Sequence, residues 1–302
     1  MAAEKQIAPY GAWKSPITSS LIVAQSISLM EARLDGDDIY WLEGRPQERG
    51  RYVVVRAPAN GGVARDINAA AYNARTRVHE YGGGSWCVTG GAVYFSNFAD
   101  GRLYRQDAGA AEPVALTPAP PDPEHNWRYA DGLIDRRRRL WIGVREDHTD
   151  AGKQYPDNTI VAVALEGPMT QSGRVLASGH DFVSSPRLSP DGRRLAYLAW
   201  DHPNMPWVGT TLYVVALGED GHDFAFSQPT KLKLLGAEVA EGVSTKAHHR
   251  HYSCVVEGFV ISATPVGRAR GGPYKIFHSR GVVNAGASHR RRGSLTKAIF
   301  CI

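Results

Sequence analysis

Leu188-Ser189-Pro190-Asp191-Gly192, followed after two arginines by Leu195-Ala196-Tyr197-Leu198-Ala199-Trp200-Asp201, decides how this chain is read. The Asp-Gly pair supplies the positive φ that a tight turn demands, and alternating large apolar residues suit a pleated strand covered on one or both faces. A short strand, a turn and a longer aromatic strand make a hairpin.

The same phrase recurs upstream at 38–43, 92–98 and 140–146, and Tyr40, Tyr94, Trp141 and Tyr197 mark it at spacings of 54, 47 and 56 residues. Turns precede the first three at Leu34-Asp35-Gly36, Val88-Thr89-Gly90-Gly91 and Leu133-Ile134-Asp135. A second alternating run follows each marker at 52–57, 102–106, 159–165 and 211–217, and a third short run closes each unit at 64–67, 113–116, 174–176 and 231–235. Each unit thus predicts a four-stranded antiparallel meander. A sheet that small cannot cover its own faces, whereas several stacked around an axis can, and a repeat of roughly 40–50 residues is the mark of a propeller. The expected fold is all-β: a partial β-propeller of about four blades, at 29–70, 82–117, 128–178 and 182–235. An extension, 1–28, precedes it and an irregular basic tail, 236–302, follows. A β-sandwich with coincidental spacing is the competing arrangement.

Of 302 residues, 43% are hydrophobic and 22% charged, the balance of an ordinary globular chain. The longest apolar stretches fall far short of the roughly 20 residues of a membrane helix, and 1–9 holds no leader-like apolar core, so a cytoplasmic protein without a membrane partner is expected. Cys87, Cys254 and Cys301 are odd in number and form no C-x-x-C pair, which predicts reduced thiols. The net charge of +5 conceals a break: residues 1–221 hold 23 Lys and Arg against 26 Asp and Glu, whereas 222–302 hold 12 against 4. All seven tryptophans precede position 208. Divergence near His222 fits either a basic appendage, with Arg268-Ala269-Arg270 and His289-Arg290-Arg291-Arg292, or a shifted reading frame; the tail's lack of periodicity favours the second. Nucleic acid is not an expected partner.

Arg75-Thr76-Arg77-Val78-His79-Glu80-Tyr81-Gly82-Gly83-Gly84 resembles the propeller of the prolyl oligopeptidase family of serine peptidases, closest to its acylaminoacyl-peptidase and dipeptidyl-aminopeptidase-like branch. Val144-Arg145-Glu146-Asp147-His148, Ser184 through Gly192, and Trp200-Asp201-His202-Pro203-Asn204-Met205-Pro206-Trp207 extend the resemblance over nearly all of 8–220. It implies a propeller that filters peptide access to a C-terminal α/β-hydrolase domain carrying Ser, Asp and His. That domain is expected to be missing here. The nucleophile elbow G-x-S-x-G requires small residues on both sides of its Ser, and no serine satisfies it. Ser85 has Cys87 where Gly belongs, Ser279 has Phe277 before it, and Ser288 has Arg290 behind it. Catalytic residues are therefore none, and no cofactor or metal is expected.

Six residues are candidates for substrate gating or interdomain contact. His79 and Glu80 precede the glycine turn, where loops face the propeller's channel. The resemblance implies that a carboxylate there can bind a peptide's free amino group; the alternative is a hydrogen bond between the pair and adjacent backbone. Arg145, Glu146, Asp147 and His148 read either as a gate or interdomain salt-bridge cluster, or as a solvated loop of weak ion pairs. Gly82 to Gly84 lack the following helix a phosphate cradle needs and read as a turn into a strand. Arg136 to Arg139 read as a surface hairpin turn. His248, His249, His251 and Cys254 crowd together without the framed spacing of a zinc site. Trp41, Trp141 and Trp200 are expected between blades, and Pro203 and Pro206 in a rigid loop.

The functional expectation is the propeller of a peptidase acting on peptide substrates, inactive by itself and prone to self-association through open sheet edges. A stand-alone propeller that binds protein partners is the alternative, and it requires the tail to supply strands.

Overall fold

The computed structural model describes residues 7–12, 15–23, 26–122, 125–166, 170, 172–206 and 208–217, together with backbone strands at 230–232, 252–256 and 259–263. A single helical turn, α1 (Ser19–Val23), leads into β1 (Ser28–Asp35), β2 (Asp38–Arg45), β3 (Arg51–Pro58) and β4 (Arg65–Asp66). The second sheet comprises β5 (Trp86–Thr89), β6 (Ala92–Ser96), β7 (Leu103–Gln106) and β8 (Val114–Ala115). Next come β9 (Trp127–Asp135), β10 (Leu140–Asp147), β11 (Asp157–Ala164) and β12 (Arg174–Ala177). The fourth sheet is β13 (Phe182–Leu188), β14 (Arg194–Trp200), β15 (Thr211–Ala216) and β16 (Thr230–Leu232). Each is an antiparallel meander with strands in chain order, so the chain is a partial propeller of four blades. A separate antiparallel pair, β17 (Tyr252–Val256) and β18 (Phe259–Ala263), lies in the tail. The basic runs at 268–270 and 289–292, the histidines at 248, 249 and 251, Trp207 and Cys301 lie outside the described residues.

Three apolar seams stack the blades. Tyr40, Leu42 and Val54 of the first sheet meet Trp86, Val93 and Phe95 of the second. Tyr94 and Leu103 of the second meet Tyr129, Trp141 and Val163 of the third. Ile142, Val144 and Ile160 of the third meet Val183, Leu195 and Tyr197 of the fourth. Trp141 thus fills a seam as expected, whereas Trp41 is only half-buried and its indole N–H donates to Glu43 at 2.8 Å. The Trp141 indole lies where a Cβ on either Gly132 or Gly143 would collide with it, which is why the third blade carries glycine inside two strands.

β9 begins at Trp127 and β13 at Phe182, well ahead of their hairpin turns. β1, β9 and β13 each contain a β-bulge at which one non-glycine residue takes positive φ, namely Glu31 (51°), Asp131 (55°) and Ser185 (52°). A bulge reverses the side-chain alternation midway, so a period-2 pattern breaks there although the strand continues. Contacts between sheets run through β1, β5, β9 and β13, which places these strands nearest the axis.

Asp131 uses its bulge to join three blades. Its Oδ1 accepts from the Gly84 amide at 2.7 Å, its Oδ2 from the Ser185 amide at 3.0 Å, and its own amide donates to the Gly84 carbonyl at 2.7 Å. A Cβ on Gly83 or Gly84 would stand 3.1 Å from Oδ1, so the glycine run makes room for a carboxylate as well as a turn. At the opposite end of the blades the first-hairpin turns are sewn together. Asp35 accepts from the Gly91 amide at 2.6 Å, Arg136 donates to Thr89 at 2.6 Å, and Arg138 bonds both Asp135 (2.6 Å) and the Gly192 carbonyl (2.9 Å). Arg136 to Arg139 do form a turn, but Arg138 is buried and fastens the third blade to the fourth.

Asp131→Ala leaves the Gly84 and Ser185 amides without an acceptor, and each charge-assisted bond contributes about 1.5–3 kcal/mol. A loss of about 3 kcal/mol in urea unfolding is expected, against under about 1 kcal/mol for alanine at the exposed Asp37. Equal effects would show that the staple carries no weight.

Candidate functional site

The connector between the first and second blades, 67–85, crosses the end of the propeller that carries the second hairpins, and it enters a seam to which it does not belong. Val78 is buried among Ile142, Ile160, Val183 and Leu195, at the junction of the third and fourth blades. His79 and Glu80 follow in consecutive left-handed conformations, φ 54° and 64°. Side chains rarely adopt that region, and two in succession persist only where the surroundings fix them. Here the Glu80 amide donates to the Arg77 carbonyl at 2.8 Å and the Gly82 amide to the Val78 carbonyl at 2.9 Å.

Strand alternation divides the polar string at the end of β10. Glu146 and His148 belong with the connector: Glu146 Oε1 accepts from the His79 amide at 2.6 Å, and Oε2 meets His148 Nε2 at 3.1 Å. Arg145 and Asp147 point to the other face. Arg145 donates to Ser172 Oγ at 2.8 Å, while Asp147 accepts from the Trp127 indole at 3.0 Å and from the Thr149 hydroxyl at 2.6 Å. Arg145 and Glu146 are 8% and 2% exposed, so the expected alternative of a solvated loop is corrected: both lie inside a central strand. The expected bond of His79 and Glu80 to adjacent backbone also gives way to partners on the third blade, apart from the local Glu80 amide bond.

Sequence reasoning missed Arg128, which the bulge hides in the early part of β9. Its guanidinium bonds Glu80 at 2.7 Å and the Arg77 carbonyl at 3.2 Å and stands 3.7 Å from Glu146. The Arg128 hydrogen bond holds the Glu80 carboxyl below the usual carboxylate range, with its side chain 76% exposed. Burial works against ionisation of Asp147, but Thr149, Arg145 and Trp127 outweigh it and its pKa is lowered.

His79 is enclosed by aromatic rings, with Trp200 at 5.4 Å, Phe182 at 5.5 Å and Tyr81 at 5.8 Å between centroids. Burial lowers its pKa, against the pull of Glu146, Asp131 and Asn158. Asn158 adjoins the imidazole, yet His79 Nε2 and Asn158 Oδ1 both lie buried without a hydrogen bond of ordinary length. Trp200, expected between blades, stacks on Phe182 at 5.4 Å and serves this aromatic box. The buried Cys87 thiol is pushed up to about 12 by desolvation, which leaves it inert.

A histidine whose folded pKa is depressed contributes its full stability above the ordinary imidazole pKa and loses it as pH falls from there through the folded value. Between about pH 7 and pH 5 the urea midpoint should therefore fall more for the native chain than for His79→Phe, which keeps the ring packing without the titration. Parallel declines would remove His79 as the cause.

No family model matches the chain and no curated protein does. Solved structures do match. The chain is similar to a puromycin-hydrolyzing peptidase of Mycobacterium tuberculosis, 32% identical at a TM-score of 0.67, over 90% of this chain and 40% of that one. It is also similar to a puromycin hydrolase, 33% identical at a TM-score of 0.67, over 85% of this chain and 39% of that one. The chain thus spans about two fifths of the length of these relatives. The four meander blades, the glycine-run connector and this identity over most of the chain match the N-terminal propeller portion of prolyl-oligopeptidase-family peptidases.

Proposed function

We propose that this chain is the gating propeller of a prolyl-oligopeptidase-type serine peptidase, acylaminoacyl or dipeptidyl in kind, and that it admits peptides to an α/β-hydrolase domain outside these 302 residues. The observation that carries the reading is the asymmetry of coverage, 90% of this chain against 40% of the puromycin-hydrolyzing peptidase, in a sequence without G-x-S-x-G. An acyl-enzyme route needs a Ser activated by a His and an acid, so the propeller's contribution is selection of what enters.

Glu80 is the residue proposed to select. Its carboxylate is exposed, kept ionised by Arg128, and adjoined in sequence by Tyr81, itself 69% exposed. An ionised carboxylate next to an aromatic face suits an ammonium group. His79, Glu146 and His148 hold the loop that presents it, while Arg145 and Asp147 fasten the blade behind it. Peptides are the proposed partners, together with the hydrolase domain. Self-association is part of the proposal, supported by Leu29 and Leu34, 71% and 75% exposed on β1. A cytoplasmic setting is supported by Cys87, a buried free thiol. Among the described residues no helix is long and apolar enough to cross a membrane.

The purified chain should neither hydrolyse aminoacyl or acyl-peptide chromogenic substrates nor take up a fluorophosphonate probe; robust labelling would overturn the reading. In a full-length relative with an equivalent glutamate, Glu80→Gln should lower kcat/KM for free N-termini about tenfold or more relative to acetylated peptides, the loss of one ion pair. An unchanged ratio would remove Glu80 from selection.

A further inference from the structure

Beside Glu80, and distinct from it, a cationic notch opens at the same end of the propeller. Arg75 and Arg77 flank the buried Thr76 in the connector, both exposed, and both lie over Phe98, with guanidinium carbons 4.9 and 5.2 Å from the ring centroid. Arg75 also lies 5.2 Å from the Tyr52 ring. Arg128 forms the third side, and the buried Asn97 and Asn126 contribute to the wall.

Three features ask for an anion. Neither Arg75 nor Arg77 forms an ion pair at contact distance among the described residues, although the two guanidiniums share one ring. Like charges brought together repel unless a counter-charge enters. Arg128 gives Glu80 and the Arg77 carbonyl its Nη1, while its Nε is buried with no hydrogen-bond partner. Aromatic stacking, moreover, fixes the planar heads of Arg75 and Arg77, so little freedom remains to be lost when they are engaged.

Arg128 already meets Glu80 and stands near Glu146, so Arg75 and Arg77 are the charges of the notch left without a counter-charge at contact distance among the described residues. Planar guanidinium forks match a carboxylate in two parallel hydrogen bonds. We propose that Arg75, Arg77 and Arg128 form a subsite for an acidic side chain of a peptide, Asp or Glu. This subsite does not depend on Glu80 binding an amine, since Arg75 and Arg77 form no ion pair with Glu80 at contact distance.

The test uses the whole 302-residue chain and follows arginine Nε–Hε resonances during titration with acetyl-Gly-Glu-Gly-amide, which has no free terminus. Its Gln counterpart and inorganic phosphate serve as the comparison probes. Saturable shifts at Arg75 and Arg77 are expected, at least fivefold tighter for Glu than for Gln, no weaker than phosphate, and weakened as salt rises from about 20 to about 200 mM. Arg75→Ala/Arg77→Ala should abolish the Glu preference while leaving the urea midpoint in place, and Arg75→Lys/Arg77→Lys should restore it only in part. Equal binding of Glu and Gln peptides, tighter phosphate binding, or no saturable shift up to roughly 20 mM would each overturn the proposal without any variant. Glu80→Gln should leave the Glu preference intact, which separates this subsite from the amine site.

Discussion

A propeller blade cannot stand alone, and everything at the functional end of this chain depends on how four of them are held at the axis. The Asp131 carboxylate is the central fastening: it takes the Gly84 amide with one oxygen and the Ser185 amide with the other, so the connector leading into the second blade is tied to the third and fourth blades through one carboxylate. The Ser185 amide lies in a bulge and the Gly84 amide in the connector, so neither has a ladder partner, and leaving such groups unsatisfied costs about 1–3 kcal/mol each. One carboxylate settles both while setting the angle between sheets. Apolar seams supply the bulk of the stability, but they are not directional.

That fixed angle is what lets the connector reach across. Val78 enters the seam between the third and fourth blades, although it belongs to the link between the first and second. With Val78 anchored there, His79 is driven into the aromatic box of Phe182 and Trp200, and Glu80 is turned outward onto Arg128. The two left-handed residues are the conformational cost of this crossing. Glu146 then closes the arrangement by accepting the His79 amide from within β10. Packing, loop conformation and the charge presented to an incoming peptide are thus consequences of one another.

Much of the architecture was legible in the residues. Asp-Gly and Gly-Gly turns ahead of Tyr40, Tyr94 and Tyr197, with the spacing of Trp141 between them, marked four blades, because hairpin chemistry is local. The bulges at Asp131 and Ser185 were hidden, since they reverse the alternation on which such a reading relies. The part played by Arg128, at the start of β9, went unread with them. The string at 145–148 was visible as a charged cluster, yet its division between two faces follows from period 2 alone once its strand is known to run to Asp147. Arg136 to Arg139 looked like a solvated turn because four like charges leave no hint that one of them, Arg138, has a buried Asp135 to meet.

By itself the sequence determined the blade count, the meander order, the family resemblance and the want of a nucleophile elbow, all of which rest on short-range patterns of turn residues and alternating strands. Tertiary structure alone decided that Asp131 is the axial staple, that Val78 crosses to a distant seam, and that Arg75, Arg77, Arg128 and Glu80 meet at one end. Those outcomes join residues about 50 to 100 positions apart, and what brings them together is the convergence of sheets on a common axis. No local propensity encodes that distance.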